Sequence, residues 1–163
     1  MKTKSLVQSA IVAALYIAVS LISIPFGLAY GPIQFRIGEM FNHFAIFDKK
    51  YILSLTIGCL IVNFFSPTGV IDMVFGTLGT LLMTSISYFV GRYIKSVKMK
   101  LVISTIICTV SMWTVALELH IVSKIPFWMT YLTVAIGELV TLIIGAIIIY
   151  LISKRIDIER MLK

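Results

Sequence analysis

The chain has 163 residues, is 60% hydrophobic and has a mean hydropathy of +1.05, whereas a soluble domain is about 45–50% apolar. This composition predicts an integral membrane protein. At about 20 residues per membrane helix, there is room for five or six helices and none for a soluble enzyme domain. The net charge of +7 does not indicate a nucleic-acid partner, because the basic residues lie in short connections between apolar segments.

Six apolar segments predict six membrane helices. The first, residues 6–24, is longer than the core of a signal peptide and no clear cleavage site follows, so we interpret it as a retained helix. The loop after it cannot be continuous helix, because it contains Pro25, Gly27, Gly31 and Pro32. The later helices are predicted at 38–47, 51–65, 71–94, 101–119 and 127–153. The segment 38–47 is short for a crossing on its own.

The basic residues predict the orientation. With six crossings, 12 of the 14 Lys and Arg residues fall on one side, and only Arg36 and Lys124 fall on the other. A five-crossing model, in which segment 38–47 does not cross, would place Lys49 and Lys50 outside together with the tail or the loop 95–100. Because basic loops remain cytoplasmic, the pattern favours an all-α membrane protein of six transmembrane helices with both termini in the cytoplasm. Residues 1–163 then form a single integral-membrane domain.

Four of the seven acidic residues lie in or at the ends of apolar segments, namely Glu39, Asp72, Glu118 and Glu138. A charge near hydrocarbon is costly, so such acids are functional candidates. In the predicted topology all four fall in the outer half of the membrane, where two basic residues cannot neutralise them. The acids therefore predict a site for a cationic or donor-rich small molecule.

Each acid also has a structural explanation. Arg36 and Glu39 are three residues apart and can pair with each other. Asp72 can cap the fourth helix, and Glu118 can be solvated at the interface. Glu138 lies between long apolar stretches, so we expect it either to pair with a buried base or to serve a substrate.

Other polar residues near the predicted outer face allow two readings. Asn63 precedes a helix break and either lines a cavity or satisfies the backbone of the helix end. Residues 34–39 can cover a pocket, with Phe35 as a stacking surface. His43 and His120 have no spacing typical of a metal site. The chain has no catalytic, phosphate-binding or metal motif, so neither an enzyme nor a cofactor is predicted.

Small residues repeat on the first helix at Ala10, Ala14 and Ala18. Four-residue spacing places them on one face, where another helix can approach closely. The same spacing also suits packing within the chain.

Four strings together resemble the QueT family, whose members are substrate-binding S components of energy-coupling factor (ECF) transporters. The strings are YGPIQFRIGE at 30–39, NFFSPTGVID at 63–72 with its continuation to 78, IPFW at 125–128, and GE at 137–138. The resemblance covers most of the chain. One departure is Gly38, where serine is expected.

The resemblance implies a bacterial cell-membrane protein that docks, through Ala10, Ala14 and Ala18, on a transmembrane coupling subunit. That T component carries two cytoplasmic ATPase subunits, and ATP-driven reorientation in the bilayer releases the substrate. The implied substrate is a queuosine precursor, most simply prequeuosine-1 (7-aminomethyl-7-deazaguanine).

Such a ligand has a donor-rich ring edge and a cationic amine, and each suits a carboxylate. We expect Glu138 and Asp72 to fill these two roles in either order, and Glu39 to hold the covering loop or share the amine. Phe35, Trp113 and Trp128 are the candidates for stacking on the ring. Asn63 and Gln34 suit the remaining ring polar atoms, and Arg36 and Glu118 complete the candidate set.

Two other functions stay open from the residues. The first is a self-contained, proton-coupled transporter of a small organic cation, with Glu138 as the switched carboxylate. No convincing inverted repeat supports it. The second is an integral-membrane enzyme or assembly factor, for which no positioned nucleophile–base pair exists.

Overall fold

The structure is a computed structural model, and it describes residues 3–27, 30 and 34–162. Within these residues all regular structure is helical. The α-helices are α1 Thr3–Ser23, α2 Lys50–Asn63, α3 Val70–Gly91, α4 Val97–Ser111, α5 Trp113–Ser123, α6 Phe127–Ser153 and α7 Ile158–Leu162. A short 3₁₀ turn, Ile24–Phe26, continues α1, and a long 3₁₀ helix spans Ile37–Ile46. The predicted all-helical fold is confirmed for this part of the chain.

In the described residues, four helical stretches are long and apolar enough to cross a membrane: Thr3–Phe26, Val70–Gly91, Val97–Ser123 and Phe127–Ser153. They correspond to the first, fourth, fifth and sixth predicted helices. Helix α2 is apolar but has only 14 residues. The count of six crossings and the cytoplasmic termini stay predictions. Gly31, Pro32 and the terminal Lys2 and Lys163 lie outside the described residues.

The surface of the helices suits a lipid solvent. Large apolar side chains point outward along the long helices, as at Leu78, Ile147 and Leu151, which are 58%, 53% and 56% exposed. Small polar side chains lie inside, including fully buried Thr84 and Ser104. Contiguous exposed apolar surface of this kind is rare on soluble monomers. The chain is therefore a multi-pass membrane protein.

The long 3₁₀ helix lies at the centre of the fold and packs against α1, α2, α3, α4 and α6. It carries polar side chains that are buried, among them Glu39, Asn42 and His43. The segment is helical, as predicted for 38–47, but it is enclosed by protein rather than by lipid. Enclosure explains how it tolerates polar side chains and 3₁₀ winding at this position.

Close packing against α1 explains Gly38, the one departure noted in the sequence. A Cβ atom at this position would lie 1.9 Å from Ser20 Oγ and 2.9 Å from the carbonyl oxygen of Tyr16. A serine at position 38 would therefore force Ser20 to move. Gly38 and Ser20 are best understood as a packing pair.

The predicted fifth helix is one apolar stretch that is interrupted at Met112, between α4 and α5. Hydroxyl groups next to the interruption donate to the backbone, Ser111 to the carbonyl of Ile107 at 2.8 Å and Thr114 to that of Ser111 at 3.0 Å. Helix α5 continues to Ser123, and Lys124, with a φ of 57°, ends it. The predicted connection 120–126 is therefore shorter than expected.

Candidate binding site

A cavity of about 170 Å³ lies between the loop before the long 3₁₀ helix, the α2–α3 connection and α5. Its lining combines charged, polar and apolar side chains. The lining residues are Tyr30, Gln34, Arg36, Pro67, Thr68, Asp72, Glu118, Leu119 and Ser123. Four of the residues predicted for the site from the sequence meet here: Gln34, Arg36, Asp72 and Glu118.

The α2–α3 connection forms one wall because its sequence ends one helix and starts another. Pro67 has no backbone N–H group with which to continue the hydrogen bonds of α2. Gly69 adopts a φ of +63°, a conformation that favours glycine. The hydroxyl groups of Ser66 and Thr68 share a hydrogen bond of 2.8 Å that closes the turn. Asp72 then falls in the first turn of α3, where the helix dipole favours a carboxylate.

Gly69, rather than Asp72, occupies the N-cap of α3. The carboxylate of Asp72 instead accepts a salt bridge from Arg36, whose Nη2 lies 3.4 Å from Asp72 Oδ1. The Nε–H of Arg36 donates to Gln34 Oε1 at 2.7 Å. Burial would lower the pKa of Arg36, but Asp72 and then Glu39 outweigh it and raise this pKa above its ordinary value. Arg36 is therefore held charged between the loop and α3.

Glu39 does not line the cavity and has partners of its own. Tyr16 donates its hydroxyl to Glu39 Oε1 at 2.6 Å, and the side-chain amide of Asn42 donates to Oε2. Glu39 is 1% exposed, so these bonds satisfy a buried carboxylate. The pairing of Glu39 with Arg36, which the sequence allowed as one alternative, is replaced by the Arg36–Asp72 bridge.

Glu118 projects from α5 into the cavity and is 1% exposed. Its Oε1 accepts a long hydrogen bond, 3.4 Å, from the Thr68 hydroxyl. Its Oε2 has no hydrogen-bond partner. A solvated interfacial position, the structural explanation considered for Glu118, does not agree with this burial.

Glu138 is also buried, at 2% exposure, and its Oε1 has no hydrogen-bond partner. It does not line the cavity. Its neighbour Gly137 contacts the covering loop so closely that a Cβ atom there would lie 1.8 Å from the carbonyl oxygen of Gln34. The 34–36 loop therefore rests on α6 beside Glu138 on one side and is tied to Asp72 of α3 on the other.

Asn63 supports the wall rather than lining the cavity. Its side-chain amide donates to the backbone carbonyl of Asp72 at 3.2 Å and to Cys59 Sγ at 3.3 Å. It also borders a small space of about 10 Å³ beside the cavity, with Tyr16, Tyr30 and Arg36 among the other lining residues. That volume suits about one water molecule. The contact with Asp72 favours the helix-end reading of Asn63.

The structure does not bring the three aromatic candidates to the cavity. Phe35 is half-buried outside the lining. Trp113 is 45% exposed and borders a separate apolar groove with Leu78. Trp128 is 73% exposed and packs edge-on against Phe127, with the ring centroids 5.2 Å apart.

The aromatic ring at the cavity belongs to Tyr30, which was not among the predicted site residues. Its hydroxyl donates to the carbonyl of Val62 at 2.7 Å, and burial raises its pKa to about 12. Thr68, Leu119 and Ser123 were also not predicted. Tyr30 does open the string YGPIQFRIGE, which was the available signal for it.

The two histidines have backbone partners. A ring nitrogen of His43, Nε2, lies 2.9 Å from the carbonyl oxygen of Leu142, and Nδ1 of His120 lies 2.7 Å from that of Ile125. In the part of the chain that the structure describes, no group of three or more His, Cys, Asp or Glu side chains is placed to hold a metal ion.

Comparison with known proteins gives a consistent assignment. Residues 6–154 match the family model described as QueT transporter. The chain is 41% identical to the queuosine precursor transporter QueT of Lactococcus lactis subsp. cremoris (strain MG1363), over 98% of each chain. No solved structure matches the chain significantly.

Proposed function

The chain belongs to the QueT transporter family, and on that premise we propose that it is the S subunit of an ECF importer for prequeuosine-1. The family and the curated relative are transporters, so the chain is a transport protein and not an enzyme. Transport of a queuosine precursor follows from the family. Our proposal adds three points, namely that the substrate is the amine prequeuosine-1, that transport is coupled to an ECF module and that the protein lies in the plasma membrane.

The observation that carries the proposal is the cavity where Arg36, Asp72 and Glu118 meet. Its volume, about 170 Å³, is below the range of about 300–1,000 Å³ usual for drug-sized ligands, so it suits a small compound. Two carboxylates and one guanidinium group suit a ligand that carries both hydrogen-bond donors and a positive charge. Prequeuosine-1 has both, on its guanine-like edge and its aminomethyl group. The 7-cyano precursor lacks the charge.

The proposed partners are a T component and two cytoplasmic ATPase subunits. Ala10, Ala14 and Ala18 support the docking role of α1, because all three are exposed. Small residues one helical turn apart let a partner helix approach closely in lipid. The proposal also includes the topology, which is a single integral-membrane domain of six membrane helices with both termini in the cytoplasm.

Calorimetric titration of the detergent-purified protein with prequeuosine-1 tests the substrate, with the 7-cyano analogue and guanine as controls. We expect tight binding of the amine. Both controls should bind at least about tenfold more weakly, since the loss of a charge contact costs about 1.4 kcal/mol or more. Equal affinity for the amine and the nitrile would refute the charge-based selection. Binding of none of the three would refute the substrate, and proton-coupled transport of another cation would then be tested next.

A further inference from the structure

Two carboxylates line the cavity, and their partners differ. Asp72 is engaged by Arg36 at 3.4 Å, and Arg36 in turn is fixed by Gln34. Glu118 has one long bond from Thr68 and one oxygen without a partner, although it is 1% exposed. A buried carboxylate oxygen without a hydrogen-bond donor is costly.

We infer that Glu118 binds the positively charged group of the substrate, whereas Asp72 serves to hold Arg36 in place. The inference rests on the proposed function, because it takes the cavity to be the substrate site. It changes the assignment expected from the sequence, in which Asp72 and Glu138 took the two ligand contacts. Glu138 does not line the cavity in this conformation.

Charge supports this assignment. The charged side chains that line the cavity are Arg36, Asp72 and Glu118, so their ionised forms sum to one negative charge. The carboxyl groups of Asp72 and Glu118 also lie close enough to interact with each other. They repel each other when both are ionised, while Arg36 attracts both. A ligand with a single positive charge balances the set when it binds the unpartnered oxygen of Glu118. A neutral ligand leaves the carboxylate buried and unpaired.

The two roles predict different mutant phenotypes. Glu118→Gln keeps the size of the side chain and removes its charge, so the affinity for prequeuosine-1 should fall by about 100-fold, as for a buried charge pair. The affinity for the 7-cyano analogue should change by less than about threefold. Asp72→Asn releases Arg36, which then faces any ligand, so the affinities for both compounds should fall by similar factors.

Titration of both variants with both compounds tests the inference, after a thermal unfolding curve has established that each variant is folded. The inference is wrong if Glu118→Gln keeps the wild-type preference for the amine over the nitrile. It is also wrong if Asp72→Asn, and not Glu118→Gln, abolishes that preference. In both cases the proposed function stands. If the wild-type protein binds neither compound, the proposed function fails and the inference falls with it.

A second variant covers the case in which Glu118→Gln does not fold. Glu118→Asp keeps the charge and withdraws the carboxylate by one methylene group. We expect the amine to lose affinity about tenfold, with the nitrile unchanged within about threefold, because only the amine contacts the carboxylate. Equal losses for both compounds, or no loss, would overturn the inference.

Discussion

At the scale of single residues, Gly137 lies at a contact that no side chain would allow. The carbonyl of Gln34 occupies the space where a Cβ atom would be, 1.8 Å away. The position of the 34–36 loop on α6 therefore requires a glycine at position 137. Gln34 and Arg36 reach the cavity from that loop.

Gly137→Ala should displace the 34–36 loop and weaken ligand binding by about tenfold, because overpacking costs about 1–3 kcal/mol and moves Arg36 relative to Asp72. Calorimetric titration with prequeuosine-1 measures the effect. Ile136→Ala is the matched control, since Ile136 is the preceding residue of α6 and is 59% exposed. Wild-type affinity in Gly137→Ala would show that the loop adapts without consequence.

At the scale of elements, α1 presents two different sides. Val12, Tyr16 and Ser20 are buried and face the long 3₁₀ helix and α2, whereas Ala10, Ala14 and Ala18 are exposed. The buried side explains the stability of the helix in the fold. The exposed alanines contribute little to that packing, which leaves them available to a partner helix.

Ala14→Leu should reduce co-purification of the T component with this chain at least about tenfold, because the larger side chain separates the helices. Binding of prequeuosine-1 to the isolated chain should be unchanged. Leu15→Phe is the control, since Leu15 is also exposed, at 45%, on the neighbouring side of α1. Normal co-purification of Ala14→Leu would place the partner elsewhere on the surface.

Long apolar helices could be predicted from the sequence because a helix that crosses the membrane needs about 20 consecutive, mostly apolar residues. The pairs that build the cavity could not. Arg36 and Asp72 are 36 residues apart, and Thr68 and Glu118 are 50 apart, so only the tertiary fold brings them together. The tryptophans were ambiguous for another reason, because Trp suits both ligand stacking and the membrane interface.

At the scale of the whole molecule, the polar groups lie inside and the apolar side chains lie outside. This arrangement fits a bundle of helices in lipid. The difference between five and six crossings depends on whether the long 3₁₀ helix crosses the membrane. It decides on which side Lys49 and Lys50 lie.

Cysteine labelling in intact cells tests the topology. Both native cysteines are buried, so they are replaced by alanine for a clean background. We expect Lys124→Cys to react with a membrane-impermeant maleimide from outside, and Lys49→Cys and Lys98→Cys to react only after permeabilisation. Labelling of Lys49→Cys from outside would refute the six-helix orientation.

The winding of Ile37–Ile46 affects how far that segment reaches. A 3₁₀ helix rises about 2.0 Å per residue, compared with about 1.5 Å in an α-helix. Ten residues therefore extend over about 20 Å rather than about 15 Å, which is two-thirds of a hydrocarbon layer about 30 Å thick. The more tightly wound 3₁₀ helix is the longer one for a given number of residues. The same ten residues therefore hold Arg36 and Asp48 about 5 Å farther apart than an α-helix would, a distance close to the rise of one α-helical turn.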